Sequence, residues 1–325
     1  MASSVIPSFL APLQQVMLRD SLAAPHGGDH VEQVEIRFSA GVEADDILRA
    51  WNETVAGTDA LRVSFLIEDG VSASLVSAIP EAVRVEEGSR EGWLEEDRCR
   101  PMLASGQVPW RAVLWPVDRY FVWTFHHALL DGRSITRIVR AFLDRVDGKP
   151  AENSALSRWL PPDDGMKLRG DQLLRGTFFR EVTGSSIRTD EVADHGPAVR
   201  CLGQDFLSRL GDLADAREVT TGTLLIWAWG QAVAEVSGRD AAIVEQVRAG
   251  VRQEGTAGFT MGLLPLRVDR GGMDSLPGLR HQMLGLRDIE AMGREDFTPG
   301  VFPDVDGPWS SVIMIEQGTL AHLAG

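Results

Sequence analysis

Two adjacent histidines stand in the segment Phe125-His126-His127-Ala128-Leu129-Leu130-Asp131-Gly132. An imidazole that titrates near neutral pH can take the proton from an alcohol or amine as that group attacks a carbonyl carbon. His127 is the candidate for this role. Successive side chains on a strand point to opposite faces, so at most one of the pair lines a given cavity. His126 is then expected to pack on the opposite face, as support. The same alternation disfavours a zinc site built from both imidazoles and Asp131, and no other histidine cluster supplies a third ligand. No metal is expected. Asp131 lies four residues beyond His127, where its carboxylate can pair with a buried arginine or orient the imidazole as in a triad, and the spacing leaves both roles open. Gly132 permits a close approach that a side chain would obstruct, and its N–H can point at a developing oxyanion. The competing reading is a core histidine at a strand end, with Asp131 capping the next helix.

The elements around this segment alternate between helix and strand. Leu10, Leu13 and Met17 recur at helical spacing, His30 to Phe38 partly alternates like a strand, Glu43 to Val55 reads as a helix, and Leu61 to Glu68 as a strand carrying Arg62 between apolar neighbours. Trp110 to Trp115 and Tyr120 to His126 are two aromatic and β-branched runs separated by Pro116-Val117-Asp118-Arg119, which predicts a hairpin. The second run is apolar on both faces, as in a central strand, so His127 stands at the exit of a buried sheet. Ile135, Ile138, Val139, Phe142 and Val146 then repeat every three or four residues, and Gly148 closes that helix. Beyond the composition break at Pro161-Pro162-Asp163-Asp164-Gly165 the alternation resumes: a helix from Thr221 to Gly238, strands at Ala241 to Val247 and Leu263 to Val268, a helix near Leu276 to Ile289, and a strand at Ser310 to Glu316. The fold class is therefore α/β (α+β). The division expected is 1–165 for a first lobe carrying the histidines and 166–325 for a second.

With 44% hydrophobic and 24% charged residues the chain has the composition of a soluble globular protein. Its formal net charge of -15 opposes nucleic acid binding, which needs basic surface to neutralise phosphates. Cys99 and Cys201 form neither a CxxC nor a zinc-type spacing, and the N-terminus lacks the pattern of a signal peptide; cytoplasmic placement without integral membrane association is expected. No GxSxG elbow, GxxxxGK[ST] loop or dinucleotide fingerprint is present. Gly271-Gly272-Met273-Asp274-Ser275-Leu276 is a weak match to a carrier-protein attachment site, but it lacks the preceding helix, and Asp274 or Ser275 reads better as a helix cap. Arg133, Arg137 and Arg140 share a helix face that can be solvated or can meet a phosphate or an acidic carrier domain. Trp227 and Trp229 read as core, with the wall of an acyl tunnel as the alternative.

The pattern His-His-x-x-x-Asp-Gly at 126–132 resembles the signature of the condensation-domain family of nonribosomal peptide synthetases, within the chloramphenicol-acetyltransferase-like superfamily. Further segments resemble the family in the right order. Pro12-Leu13-Gln14-Gln15-Val16-Met17-Leu18 is similar to its opening helix, Ala60-Leu61-Arg62-Val63-Ser64-Phe65 to its LRTxF-type strand, Arg158-Trp159-Leu160 to its Tyr/Trp segment, Leu264-Pro265-Leu266-Arg267-Val268 to its NTLPLRV-type strand, and Ser310 to Glu316 to a strand that follows. Gly262-Leu263 replaces the usual Asn-Thr, the first Arg of the RHExLR pattern falls on Gly57, and the second lobe ends earlier than in the family, as in a shortened or truncated member.

The resemblance implies two chloramphenicol-acetyltransferase-like lobes with mixed sheets in a V, the second shortened at its C-terminus, with a tunnel centred on the motif. His127 matches the second histidine of the signature. Asp131 matches an aspartate held by arginine, with Arg267 the first candidate partner and Arg62 the second. The implied activity is acyl transfer from a thioester to an amine or hydroxyl, forming an amide or ester in secondary-metabolite biosynthesis. The donor would be phosphopantetheine-linked or a coenzyme A thioester, with no tightly bound cofactor. The implied partners are an acyl or peptidyl carrier protein and a small amine or alcohol acceptor. The alternative is a catalytically inactive condensation-like docking or recruitment module.

Overall fold

The structure is a computed structural model that describes residues 4–5, 10–68, 70–76, 82–157, 199–249, 254–291 and 312–315. The described residues fall into two units: one holds those up to 157 together with 249 and 254–262, the other 199–248, 263–291 and 312–315. The residues expected at the division, Pro161 to Gly165, and the segment Arg158-Trp159-Leu160 lie outside the described residues.

In chain order the first unit contains β1 (Ser4–Val5), α1 (Pro12–Ala23), β2 (Val31–Arg37), α2 (Ala44–Ala56), β3 (Val63–Glu68), β4 (Gly70–Leu75), β5 (Arg84–Val85), α3 (Trp93–Arg98), β6 (Trp110–Trp115), β7 (Tyr120–His126), α4 (Gly132–Val146) and β8 (Ala155–Leu156). The sheet that carries the histidines has the order β2-β7-β6-β5, so β7 is central, as its apolar run predicts. β6 and β7 form the expected antiparallel hairpin, with Arg119 at φ 51° in the turn.

The period of two along β7 sorts its side chains between two layers. Phe121, Trp123 and Phe125 enter the main core with Trp51 of α2 and Phe142 of α4. Trp51 is fully buried, its ring lies 5.0–5.8 Å from those of Trp110, Phe121, Trp123 and Phe142, and its indole N–H donates to the Ala82 carbonyl at 3.1 Å. Burying one such side chain contributes roughly 4–6 kcal/mol of transfer free energy as an upper bound. Val122 packs on the other face with Val113, Trp115 and Trp93. Thr124, also on that face, donates at 2.7 Å to the fully buried Asp97 of α3, which Arg111 pairs from β6. Both faces of β7 are thus covered.

Arg62 departs from expectation. Asp59–Arg62 is a 3-10 turn and β3 begins only at Val63. In a 3-10 turn residues i and i+3 eclipse, which sets the Arg62 guanidinium against Asp59. Gly57 stands where the resemblance to condensation domains leads one to expect an arginine. A Cβ there would meet Asn153 Oδ1 at 2.2 Å and Arg145 Nη2 at 3.1 Å, so the missing side chain leaves room for a buried guanidinium from α4.

The second unit contains α5 (Gln204–Ala216), α6 (Thr221–Val236) and β9 (Ala241–Ala249); after β10 (Thr256–Ala257), which belongs to the first unit, come β11 (Met261–Asp269), α7 (Leu276–Ala291) and β12 (Val312–Ile313). Its sheet has the order β11-β9-β12. Gly230 of α6 lies so close to β11 that a Cβ would sit 2.4 Å from Val268. Trp227 is half-buried and donates to Ser275 Oγ at 2.9 Å, whereas Trp229 is 46% exposed and does not belong to the core as the sequence implied. Ser275 does not cap α7. It closes a 3-10 turn over Met273–Ser275 that runs into the helix. No described helix is long and apolar enough to cross a membrane.

The return of the chain into the first unit has no sequence signal. There β10 pairs in parallel with β8, and Ala257 and Phe259 join the main core. Gly258 permits the close approach: a Cβ would sit 2.7 Å from the Ser157 carbonyl oxygen. This loop completes the site.

Candidate active site

β7 ends at His126, and a 3-10 turn over His127–Leu129 links it to α4. The turn is held from three sides. The His127 N–H donates to the His30 carbonyl at 2.7 Å, the Leu130 N–H to the His127 carbonyl at 3.2 Å, and Gln14 of α1 donates its side-chain N–H to the Ala128 carbonyl at 2.8 Å.

The His127 ring keeps 20% of its side-chain surface exposed and stands edge-on to Phe259, centroids 6.0 Å apart. Its Nδ1 lies 2.9 Å from the Leu130 carbonyl oxygen. A carbonyl only accepts, so Nδ1 carries the hydrogen, and in the neutral form of the ring the lone pair that a general base requires lies at Nε2. Glu32 Oε1 lies 3.5 Å from this Nε2.

His126 is in the opposite state. Its Nδ1 accepts from the Ala128 N–H at 3.1 Å, so Nε2 holds the hydrogen and donates to Ser21 Oγ at 2.9 Å. The side chain is buried, and burial above all, with the neighbouring His30 and His127, pushes its pKa down to about 3. It therefore stays neutral at physiological pH and cannot act as base toward Ser21, whose oxygen it already serves as donor. The two imidazoles have different surroundings, but strand alternation is not the reason, because β7 ends at His126 and His127 opens the 3-10 turn.

Asp131 is buried and caps α4. Oδ1 accepts from the Ser134 N–H and lies within reach of Ser134 Oγ, both at 2.9 Å. Oδ2 accepts from the Thr260 N–H at 3.1 Å and from Thr260 Oγ1 at 2.8 Å. The Asp131 N–H donates to the Gly258 carbonyl at 3.2 Å, and the Gly258 N–H donates to Ser134 Oγ at 2.9 Å. The carboxylate therefore staples the returning loop to the first turn of α4. The competing cap reading of the sequence describes this residue's local geometry well.

Gly132 opens α4. Its φ is not positive, and a Cβ there would meet no described atom within 4 Å. The expected steric need for glycine is absent from the described surroundings. Arg267 of β11 pairs with Asp269 at 2.7 Å, and its backbone N–H donates to Gln282. Arg137 is tied to Ser154 at 2.8 Å and Glu152 at 3.0 Å, while Arg133 and Arg140 are exposed.

Comparison with known proteins finds similarity to nonribosomal peptide synthetases in sequence and to condensation domains in fold. No family model matches the chain. One of the linear gramicidin synthase proteins of Brevibacillus parabrevis is 25% identical over 93% of this chain, which spans only 4% of that protein. Nonribosomal peptide synthetase 30 of Fusarium vanettenii is 38% identical over 40% of the chain and 2% of its own length. The first condensation domain of the CDA synthetase matches with a TM-score of 0.69 and 18% identity, over 98% of this chain and 82% of that one. The chain has the fold of condensation domains and is similar in sequence to nonribosomal peptide synthetases. The mixed α/β architecture expected from the sequence is that of condensation domains.

Sequence reasoning singled out His127 and Asp131 but missed Thr260, Ser134, Gln14 and Glu32. Thr260 is invisible because it meets Asp131 across 129 residues. Glu32 leaves a trace. Val34 and Ile36 share its strand parity and pack on the main core, so the carboxylate breaks an apolar face.

Proposed function

We propose that the chain transfers an acyl group from a thioester to an amine or hydroxyl, with His127 as the base. The donor is a carrier-bound phosphopantetheine or coenzyme A thioester, and the acceptor a small molecule. The observation that carries this reading is the Nδ1–H bond of His127 to the Leu130 carbonyl, which orients the ring so that Nε2 is the nitrogen left for proton transfer at an accessible edge. The acceptor heteroatom attacks the thioester carbonyl carbon while Nε2 takes its proton. The carbonyl π pair moves to oxygen, toward the Gly132 N–H at the positive end of α4. Collapse of the tetrahedral adduct breaks the C–S bond, and the imidazolium returns its proton to the thiolate. Asp131 acts as an anchor that keeps the turn, and with it the imidazole, in place.

The test is acyl transfer from acyl-coenzyme A and acyl-carrier thioesters to a panel of amines and alcohols. His127→Ala is expected to lower kcat by about 10²–10⁴, the usual weight of a general base, without lowering the unfolding midpoint. Unchanged turnover would remove His127 from the chemistry. An inert wild-type chain that binds the carrier protein would favour a docking module.

A further inference from the structure

Resting on the acyl-transfer reading, we infer that His30 is a positioning residue, whose left-handed backbone holds in place the carbonyl that fixes His127. His30 has φ 59°, in the region where Cβ crowds the main chain and which glycine enters freely. It is the second central residue of a turn closed by the Val31 N–H on the Gly28 carbonyl at 3.3 Å, a place that favours glycine or asparagine when φ is positive. The peptide unit between His30 and Val31 is therefore held at both ends. Its N–H closes the turn, and its C=O accepts the His127 N–H at 2.7 Å. If residue 30 relaxes to a negative φ, the turn opens and the carbonyl loses its aim.

The strain is held from α1. His30 Nε2 lies 3.3 Å from Asp20 Oδ2, and Ser21 Oγ donates to the Asp29 carbonyl at 3.3 Å, so two neighbouring side chains of one helix grip both central residues of the turn. The His30 ring also leans on the buried His126 ring, centroids 6.3 Å apart. On the other side, the ladder between β2 and β7 stops at the pair Val31 and His126. His127 lies beyond it, and the bond to His30 carries the hold of the sheet onto the first residue of the 3-10 turn. A strained residue kept in place by its surroundings beside a reacting group points to function.

The experiment uses the full chain as wild type, His30→Gly, His30→Ala and His30→Val. Glycine forms the same turn without strain, alanine disfavours it, and a β-branched valine disfavours it most. Two quantities are measured: kcat and KM with the acyl-coenzyme A thioesters and acceptors used for His127→Ala, and hydrogen exchange of the His127 amide against that of Val122 in the middle of β7.

His30→Val is expected to lower kcat about tenfold with KM little changed, and to speed exchange at His127 about tenfold with Val122 unaffected. His30→Ala should fall between, and His30→Gly should stay within about threefold of wild type in both readouts. Equal values for His30→Gly and His30→Ala overturn the inference, and this pair decides it if His30→Val does not fold. A fall in His30→Gly as large as in His30→Ala also overturns it, since the imidazole and not the backbone would then matter. So does faster exchange at Val122 together with His127, the mark of general loosening. If the wild type turns over no acyl donor, the acyl-transfer reading fails, while exchange at His127 in His30→Gly and His30→Ala still decides whether His30 holds it.

Discussion

His126 and His127, neighbours in the chain, use their Nδ1 atoms in opposite ways: His126 Nδ1 accepts from the Ala128 N–H, and His127 Nδ1 donates to the Leu130 carbonyl. One ring is closed to protonation by burial and by an N–H aimed at its bare nitrogen. The other turns its Nε2 toward Glu32 Oε1, 3.5 Å away.

The buried ring carries a pH signature. With its folded pKa near 3 and the unfolded value at 6.5, the unfolded chain binds the extra proton between those limits. Stability from this residue is complete above pH 6.5 and falls as the pH drops toward 3, by at most about 1.4 kcal/mol per pH unit. His126→Asn offers Ala128 an acceptor but does not titrate. Urea unfolding at pH 7 and pH 5 is expected to show a smaller loss of stability in this variant than in the wild type.

Asp131→Asn turns two of the four acceptor contacts into conflicts, because the amide nitrogen then faces the Thr260 N–H or the Ser134 N–H. A loss of about 2–4 kcal/mol is expected from the buried unsatisfied donors and the lost charge-assisted bonds. Thr260→Val removes one hydroxyl donor and should cost about 1–2 kcal/mol. Denaturation followed by tryptophan fluorescence measures both, and an Asp131→Asn variant as stable as wild type would contradict the anchor role.

Glu245 works in the opposite direction. It is buried on β9, has no hydrogen-bond or ion-pair partner recorded among the described residues, and burial raises its pKa to about 7 from 4.5. The folded chain therefore holds the proton more tightly, so stability falls as pH rises from 4.5 through 7 and levels off above. Glu245→Gln is expected to raise stability at pH 8 by at most about 3 kcal/mol. The gain should vanish near pH 4.5. Equal stabilisation at both pH values would show that the effect is not ionisation.

The amino-acid sequence by itself determined what depends on local spacing. The apolar run of β7, the period of α4 and the hairpin before the histidines are all readable because a strand repeats every two residues and a helix every 3.6. The ordered segments around His127 carried the resemblance to condensation domains, whose fold the chain has. Arg62 was misplaced even at this level, since four residues of 3-10 turn carry no periodic signal. Only the tertiary structure decided what the two rings do, because a tautomer is set by the group opposite each nitrogen. Only it brought Thr260 and Gly258 onto Asp131 and Ser134, across 124 to 129 residues, and Glu32 to within 3.5 Å of His127. Such contacts follow from sheet register and from a chain that returns to the first unit after building part of the second, and neither is written in the local pattern of apolar and polar residues.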